Sequence, residues 1–316
     1  WMISRMPRLW KLMYEVSDRR NMAEKPVRGI APVERLLERL LREWKPDAVV
    51  CTYMVYPYML DSLASRTGRA VPYLTVVTDS FVINKSWLCS KSPLWAVTDP
   101  WTRAIMEEKG LPQDRLRVTG FPVNPVLGAL AKEHPLSWKE GEPFRVLYFA
   151  QRSARHARAE LAGMLDANPA LHVTCILGRR FRRIYPRIRD LRARYGRRLT
   201  VRGWTRRVPS YLAASHVVVG KAGGATVHEV LAAARPMLVN FLLPGQEEGN
   251  TRLLEKLGGG GHVPDVRALA SALQEMMADG GAQWRRMHEN LLRAGMTGGS
   301  GRIADLALKL AEEHTN

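Results

Sequence analysis

Cysteine is scarce. Cys51, Cys89 and Cys175 are the only three in 316 residues, far apart and without C-x-x-C spacing, so neither a disulfide framework nor a zinc site is indicated. No run of eighteen apolar residues occurs, so nothing reads as a membrane-spanning helix, and the first residues lack the apolar core and cleavage site of a signal peptide. There is no D-x-D pair to hold a divalent metal, no internal repeat and no low-complexity tract. A cytoplasmic location fits this pattern. Acid is also in short supply: 30 Asp and Glu stand against 48 Lys and Arg, for a formal charge of +18 and a pI near 10.3.

That excess calls for an acidic partner or surface. It is concentrated between Arg145 and Arg207, where seventeen arginines meet three acids, a density that suits phosphates or anionic head groups. Charge alone does not choose among lipid, nucleic acid and a solvated basic face, but no zinc-finger or RNP-type signature supports nucleic acid. A content of 46% hydrophobic residues over this length can build a large core, divided between two domains.

The most informative stretch is Val217 to Asn250, VVVGKAGGATVHEVLAAARPMLVNFLLPGQEEGN. A β-branched run turns through Gly223 and Gly224 and enters a helical pattern at Thr226, which predicts strand, glycine turn and helix. Backbone N–H groups at such a helix start have no partner within the helix and lie in the positive field of its dipole, a setting for phosphate. The plainer alternative is that Thr226 and Glu229 form only a capping box and the glycines only a turn. A second apolar run, Pro236 to Leu243, leads to Gln246, Glu247, Glu248 and Asn250, expected in a loop at the neighbouring strand end.

KAGGATVHEVLAAARPMLVN and PGQEEGN together resemble the donor-binding segment of the GT-B glycosyltransferases that include monogalactosyldiacylglycerol synthases, processive diacylglycerol glucosyltransferases and the lipid II N-acetylglucosaminyltransferase. The resemblance implies an α/β fold of two Rossmann-like domains with parallel sheets facing across a cleft. It assigns the donor diphosphate to Gly223, Gly224, Ala225 and Thr226, with Ala222 among the donor-binding residues, ribose hydroxyls to Glu229, and sugar hydroxyls to Gln246 and Glu247, with Asn250 supporting that loop. Gly203, Trp204 and Thr205 match the turn that holds uracil, Trp204 as ordinary core being the alternative. The implied donor is UDP-glucose or UDP-galactose. The implied acceptor is diacylglycerol or a related lipid at an anionic membrane surface, reached by a peripheral protein at the inner face of the cell membrane, with no metal or other cofactor and no nucleic acid.

The resemblance extends to VVTDS and GFPVNP. Asp79 is the catalytic candidate there, a turn cap being its alternative, and Asn84 and Trp87 are acceptor candidates; an amide at position 84, where relatives carry His, cannot take a proton. The loop after the strand Phe144 to Ala150 lacks the family's glycines, leaving Arg152 and Ser153 as side-chain phosphate contacts. Trp1 to Arg20 interleaves apolar and cationic residues, as in an interfacial membrane segment or a packed amphipathic one. The family's opening strand and His-ending glycine loop are missing, which a fragment would explain; a catalytically impaired UDP-sugar-binding or membrane-associated homologue is the rival expectation, with a nucleic-acid-binding protein below it.

Further along, alternation predicts a helix over Pro32 to Trp44, a buried strand over Asp47 to Tyr53, strands ending near Thr78, Thr98 and Val118, a basic helix over Arg182 to Tyr195, a glycine turn over Gly258 to Gly261, and three helices in the tail. The expected domains are 1–124 and 144–316, with 125–143 as linker and the last helix crossing back to the first domain.

Overall fold

The computed structural model describes residues 31–133 and 136–315. The expected interfacial segment Trp1 to Arg20 lies outside them. The chain divides into two compact units, one comprising residues up to Pro122 with Leu243–Gly249 and the tail from Gly298, the other Val123–Leu242 with Asn250–Thr297.

In the first unit, strands β1 (Val49–Cys51), β2 (Tyr73–Val76), β3 (Leu94–Val97) and β4 (Leu116–Val118) form a parallel sheet in that order. The central strand β2 is buried at every residue, as a strand covered on both faces must be. One face packs Leu74, Val76 and Ala96 against Ile303 of the helix Gly299–Thr315; the other packs Trp95 and Val97 against Trp87 and Met106. Arg302 Nε donates to Thr119 O at 2.6 Å and Gly299 lies against Phe121 O, where a Cβ would stand 2.1 Å from the oxygen, so the tail helix is fastened to this unit. The expected buried strand over 47–53 is a three-residue edge strand among the described residues, with Val50 43% exposed, because β1 pairs there only with β2.

The second unit is a six-stranded parallel sheet ordered β10-β9-β8-β5-β6-β7, built from β5 (Phe144–Phe149), β6 (Leu171–Ile176), β7 (Leu199–Arg202), β8 (Val217–Lys221), β9 (Met237–Phe241) and β10 (Gly260–His262). Strand order reverses between β5 and β8, which makes the carboxyl ends of those two strands a topological switch point. The helices Ala154–Ala167 and Val266–Met277 cross closely on one face. Gly163 permits this approach, since a Cβ there would fall 2.3 Å from Val266 Cγ1.

Three expectations are corrected here. The stretch 125–143 is no open linker: Val126–Glu133 is helical with Leu127 buried, and Trp138 meets Phe144 edge-on at 5.3 Å, so the second unit begins at Val123. The basic helix over 182–195 is broken into Phe181–Ile184 and Arg189–Tyr195, because Pro186 has no N–H to donate and its ring obstructs the preceding turn. Gly258 makes a left-handed turn at φ 61°, but Gly260, also at positive φ, enters β10, where a Cβ would stand 1.8 Å from Met237 O, so a glycine-rich sequence here forms a strand.

Two histidines in the second unit are buried in neutral form. Burial and the nearby Arg145 charge hold His216 down to about 4, and burial alone holds His228 down to about 3. An unfolded chain protonates both near 6.5, so the stability they contribute is present above that value and is lost as pH falls toward 4. Unfolding free energy should drop by about 2 kcal/mol per histidine between pH 7 and pH 5. Urea titrations at the two pH values check this, and coincident curves would contradict it.

Candidate functional site

The strand β8 ends at Lys221, and the chain turns with Gly223 N–H donating to Lys221 O at 2.8 Å and Ala222 N–H to Phe241 O at 3.2 Å. The helix Gly224–Ala232 follows with Gly223 as N-cap and no side-chain cap. Its first internal bond is Val227 N–H to Gly223 O at 2.9 Å, so the N–H groups of Gly224, Ala225 and Thr226 have no acceptor within the helix. The T-x-x-E pattern is therefore no capping box. The helix starts two residues before Thr226, which leaves Thr226 within the first turn. Gly223 has an ordinary φ of −70°, and a Cβ there would meet only Lys221 Cε at 3.7 Å. Nothing among the described residues requires glycine at that position; what glycine preserves is open space above the turn. Glu229, one turn further on, is half-buried with no hydrogen-bond or ion-pair partner among the described residues, and burial raises its carboxyl above the usual range.

Across the switch point, the loop after β5 supplies Arg152. Its guanidinium lies 5.5 Å from the ring centroid of Phe241, at the end of β9, and 3.5 Å from Glu160 Oε1. Since β8 runs between β5 and β9, an arginine that starts beyond β5 and reaches Phe241 spans the end of β8, beside the glycine turn. Glu160, 3% exposed, is held from below: Tyr148 OH and Asn240 Nδ2 both donate to its Oε2, the latter at 2.8 Å. Sequence reasoning missed this network. Its available signal was an asparagine inside the apolar run PMLVNFLL and a tyrosine inside FRVLYF. Ser153 is already engaged as N-cap of the helix Ala154–Ala167, its Oγ accepting His156 N–H at 3.4 Å and standing 2.8 Å from His156 Nδ1.

Gly203, Trp204 and Thr205 follow β7 on the same carboxyl-end side. Trp204 is 60% exposed with the Arg206 guanidinium 5.6 Å from its ring, so it is not core, and Thr205 Oγ1 accepts Arg207 N–H at 3.0 Å. Three strand spacings separate β7 from β8, about 14 Å. A ligand touching both turns must be elongated and carry an anion at one end. Asn250 is fully buried and donates from Nδ2 to Ala222 O at 3.0 Å, which ties its helix to the glycine turn.

The remaining residues lie in the first unit. PGQEEGN is not a loop: Gln246 opens the helix Gln246–Lys256, whose first turn carries Glu247 and Glu248, acids that suit a helix N-terminus. Gln246 Nε2 donates to Asp79 Oδ1, and Glu247 Oε2 accepts Leu243 N–H at 2.7 Å. Asp79 is 4% exposed, and its Oδ2 accepts Trp87 Nε1–H at 2.8 Å. Burial raises its carboxyl above the usual range, against the lowering effect of those two bonds. With each oxygen accepting from a side chain, Asp79 is a buried tie rather than an exposed base, and it is no turn cap either. Trp87 and Asn84 are buried too, and Asn84 Oδ1 caps a short turn by accepting Ser86 N–H at 2.9 Å. Neither presents itself to an acceptor. Among the described residues no group of three His, Cys, Asp or Glu could hold a metal, and no helix is long and apolar enough to cross a membrane. An open groove of about 530 Å³ bordered by Leu130, Leu136, Arg145 and Ser210 contains none of these site residues.

The Glu160 network generates a stability prediction. Glu160→Ala removes the acceptor of Tyr148 and Asn240 and the counter-charge of Arg152, and should cost about 3 kcal/mol in urea unfolding. A change below about 0.5 kcal/mol, the usual range for surface substitutions, would contradict the assigned network.

Known proteins resemble this chain in sequence and in fold. Residues 2–123 match the family model for monogalactosyldiacylglycerol (MGDG) synthase. The processive diacylglycerol beta-glucosyltransferase of Staphylococcus carnosus is 25% identical over 252 residues, 78% of this chain and 63% of that protein. The enzyme of the same name from Bacillus subtilis is 24% identical over 285 residues, 88% of this chain and 73% of that protein. The chain thus spans about six- to seven-tenths of the length of these relatives. Among solved structures, Acinetobacter baumannii MurG superposes with a TM-score of 0.62 at 16% identity, covering 86% of this chain and 76% of that one. The UDP-GlcNAc 2-epimerase of Neisseria meningitidis, bound to UDP-GlcNAc, superposes with a TM-score of 0.64 at 13% identity, covering 88% and 80%. The chain is a GT-B-fold relative of the monogalactosyldiacylglycerol synthase and processive diacylglycerol glucosyltransferase family.

Proposed function

We propose that this chain belongs to an enzyme that transfers a hexose from UDP-glucose or UDP-galactose to the hydroxyl of diacylglycerol or a related lipid. The observation that carries the reading is the trio of N–H groups at Gly224, Ala225 and Thr226, which have no acceptor within their helix, at a topological switch point whose neighbouring strand ends the Arg152 side chain spans. The names of the relatives supply the donor and acceptor class.

In this reading uracil lies at the Gly203–Thr205 turn beside Trp204, the ribose hydroxyls bond the open Glu229 carboxylate, and the diphosphate rests on the three N–H groups. Gln246 and Glu247, engaged with Asp79 and with Leu243 N–H, are left out of the donor site in this reading, and Asn250 holds the glycine turn through Ala222 O. As the bond from the anomeric carbon to the diphosphate oxygen breaks, negative charge grows on the departing UDP. The helix dipole, the N–H donors, Arg152 and Lys221 stand ready to stabilise that charge without a metal. Ser153, committed to capping, is the weaker phosphate contact of the pair. The acceptor hydroxyl would be met at an anionic membrane surface on the cytoplasmic side.

One observation favours a second reading, a UDP-sugar-binding chain without transfer activity: the Asp79 carboxylate is buried and bonded rather than open to a substrate.

Transfer of labelled hexose from each UDP-sugar to diacylglycerol in vesicles tests the proposal. Glu229→Ala should lower kcat/KM by roughly 10- to 100-fold, the effect of losing hydrogen bonds to a charged acceptor. Transfer unaffected by Glu229→Ala would remove the ribose assignment. Donor binding without transfer would select the second reading.

A further inference from the structure

The arginine excess has a definite place in the fold. Between Gly178 and Arg198, the connection from β6 to β7, ten arginines stand against one acid, a formal +9 that is half of the whole chain's +18. Ile184, Ile188, Leu191 and Tyr195 are buried, recurring every three or four residues, so one side of this broken helical segment packs on the core. The other positions are left to arginine. Seven of the guanidinium groups, including those of Arg182, Arg183, Arg189, Arg192 and Arg197, are exposed with no hydrogen-bond or ion-pair partner among the described residues.

The nearby acids are already committed. Asp190 takes both arms of Arg158 at 2.6 Å, Asp166 pairs with Arg194 at 3.0 Å and accepts Tyr195 OH, and Glu160 is buried with Arg152. Nothing local neutralises the seven. Arg192 and Arg197 also border an open groove of about 550 Å³ with Tyr185 and Thr200, room for a polar head group.

We propose that this outer face of the β6–β7 connection is an electrostatic docking surface for the phosphodiester head groups of anionic lipids, and it rests on the lipid-acceptor reading above. Guanidinium groups grip phosphate oxygens through paired N–H donors, and a polybasic face gains from the dense, laterally repeated charge of a membrane. Single-stranded nucleic acid is the poorer fit, because it is gripped by open aromatic faces. Phe181 and Tyr185 are stacked on each other at 4.7 Å, and Tyr195 lies under Arg194 and Arg198 at 5.0 and 6.0 Å. No large apolar side chain of the connection is exposed, so attachment is by charge and should weaken steeply with salt.

The test is co-sedimentation with vesicles of phosphatidylcholine alone and of phosphatidylcholine mixed with phosphatidylglycerol in equal parts. The proteins are the intact chain and a variant carrying Arg182→Gln, Arg183→Gln, Arg189→Gln and Arg192→Gln, with a single-stranded oligonucleotide as a parallel ligand and UDP calorimetry on both proteins. The parent should bind only the anionic vesicles, and the variant should lose about fivefold per arginine, on the order of several hundredfold in all, with UDP affinity unchanged. Equal binding of both proteins to anionic vesicles overturns the proposal, as does a parent indifferent to phosphatidylglycerol. It is likewise overturned if the substitutions abolish oligonucleotide binding while vesicle binding persists. A parent that docks on anionic vesicles but gives no heat with UDP keeps the surface and removes the donor-site reading instead.

Discussion

Three peptide N–H groups at the start of one helix are the constraint on which the candidate site depends. A helix that opens on Gly223 with no capping side chain leaves its first-turn donors to whatever lies beyond it, and the dipole makes an anion the favoured occupant. The surrounding fold positions this turn. The reversal of strand order beside β8 opens the crevice, the Ala222 N–H bonds β9, and Asn250 ties the carbonyl of Ala222 to a second helix. Each link is a hydrogen bond of backbone or buried amide, so the donors are held in direction before any ligand arrives.

Arg152 changes the character of the site relative to a glycine-lined one. A glycine loop lets a diphosphate approach backbone on both sides, whereas here one side is a guanidinium anchored by Phe241 and Glu160. Burying Glu160 costs solvation, and the donors Tyr148 and Asn240 offset that cost by satisfying one of its oxygens. The arrangement holds a long side chain in one place, reducing the conformational freedom that it would otherwise lose on binding a phosphate. In the first unit Asp79 is also buried and polar, but with both oxygens accepting bonds it joins Trp87 to the first turn of the Gln246 helix and presents nothing outward.

Strand, glycine turn and helix over Val217 to Ala232 were legible because each has a local cause: a β-branched run, a glycine pair and a change of period. The two parallel sheets followed from alternation. What escaped was set by tertiary contact. Pro186 marks the break in the sequence, but the apolar residues around it keep helical spacing across it and so mask it. Gly260 reads as a turn until the carbonyl of Met237 is placed against it, and 125–143 reads as a linker until Leu127 and Trp138 are seen to be buried. Asn84 and Trp87 carry the right residue types for an acceptor site; their burial is a fact of packing that no spacing encodes. The Glu160 network joins positions eighty residues apart, and only strand order brings them together.

The most direct test of the central claim is an amide NMR titration of the intact protein with UDP. The account predicts that the backbone N–H resonances of Gly224, Ala225 and Thr226 shift most strongly, followed by Gly203 to Thr205, while amides of the arginine-rich connection stay in place. Saturable UDP binding that leaves the Gly224–Thr226 amides unmoved, or no binding at all to well-folded protein, would contradict it.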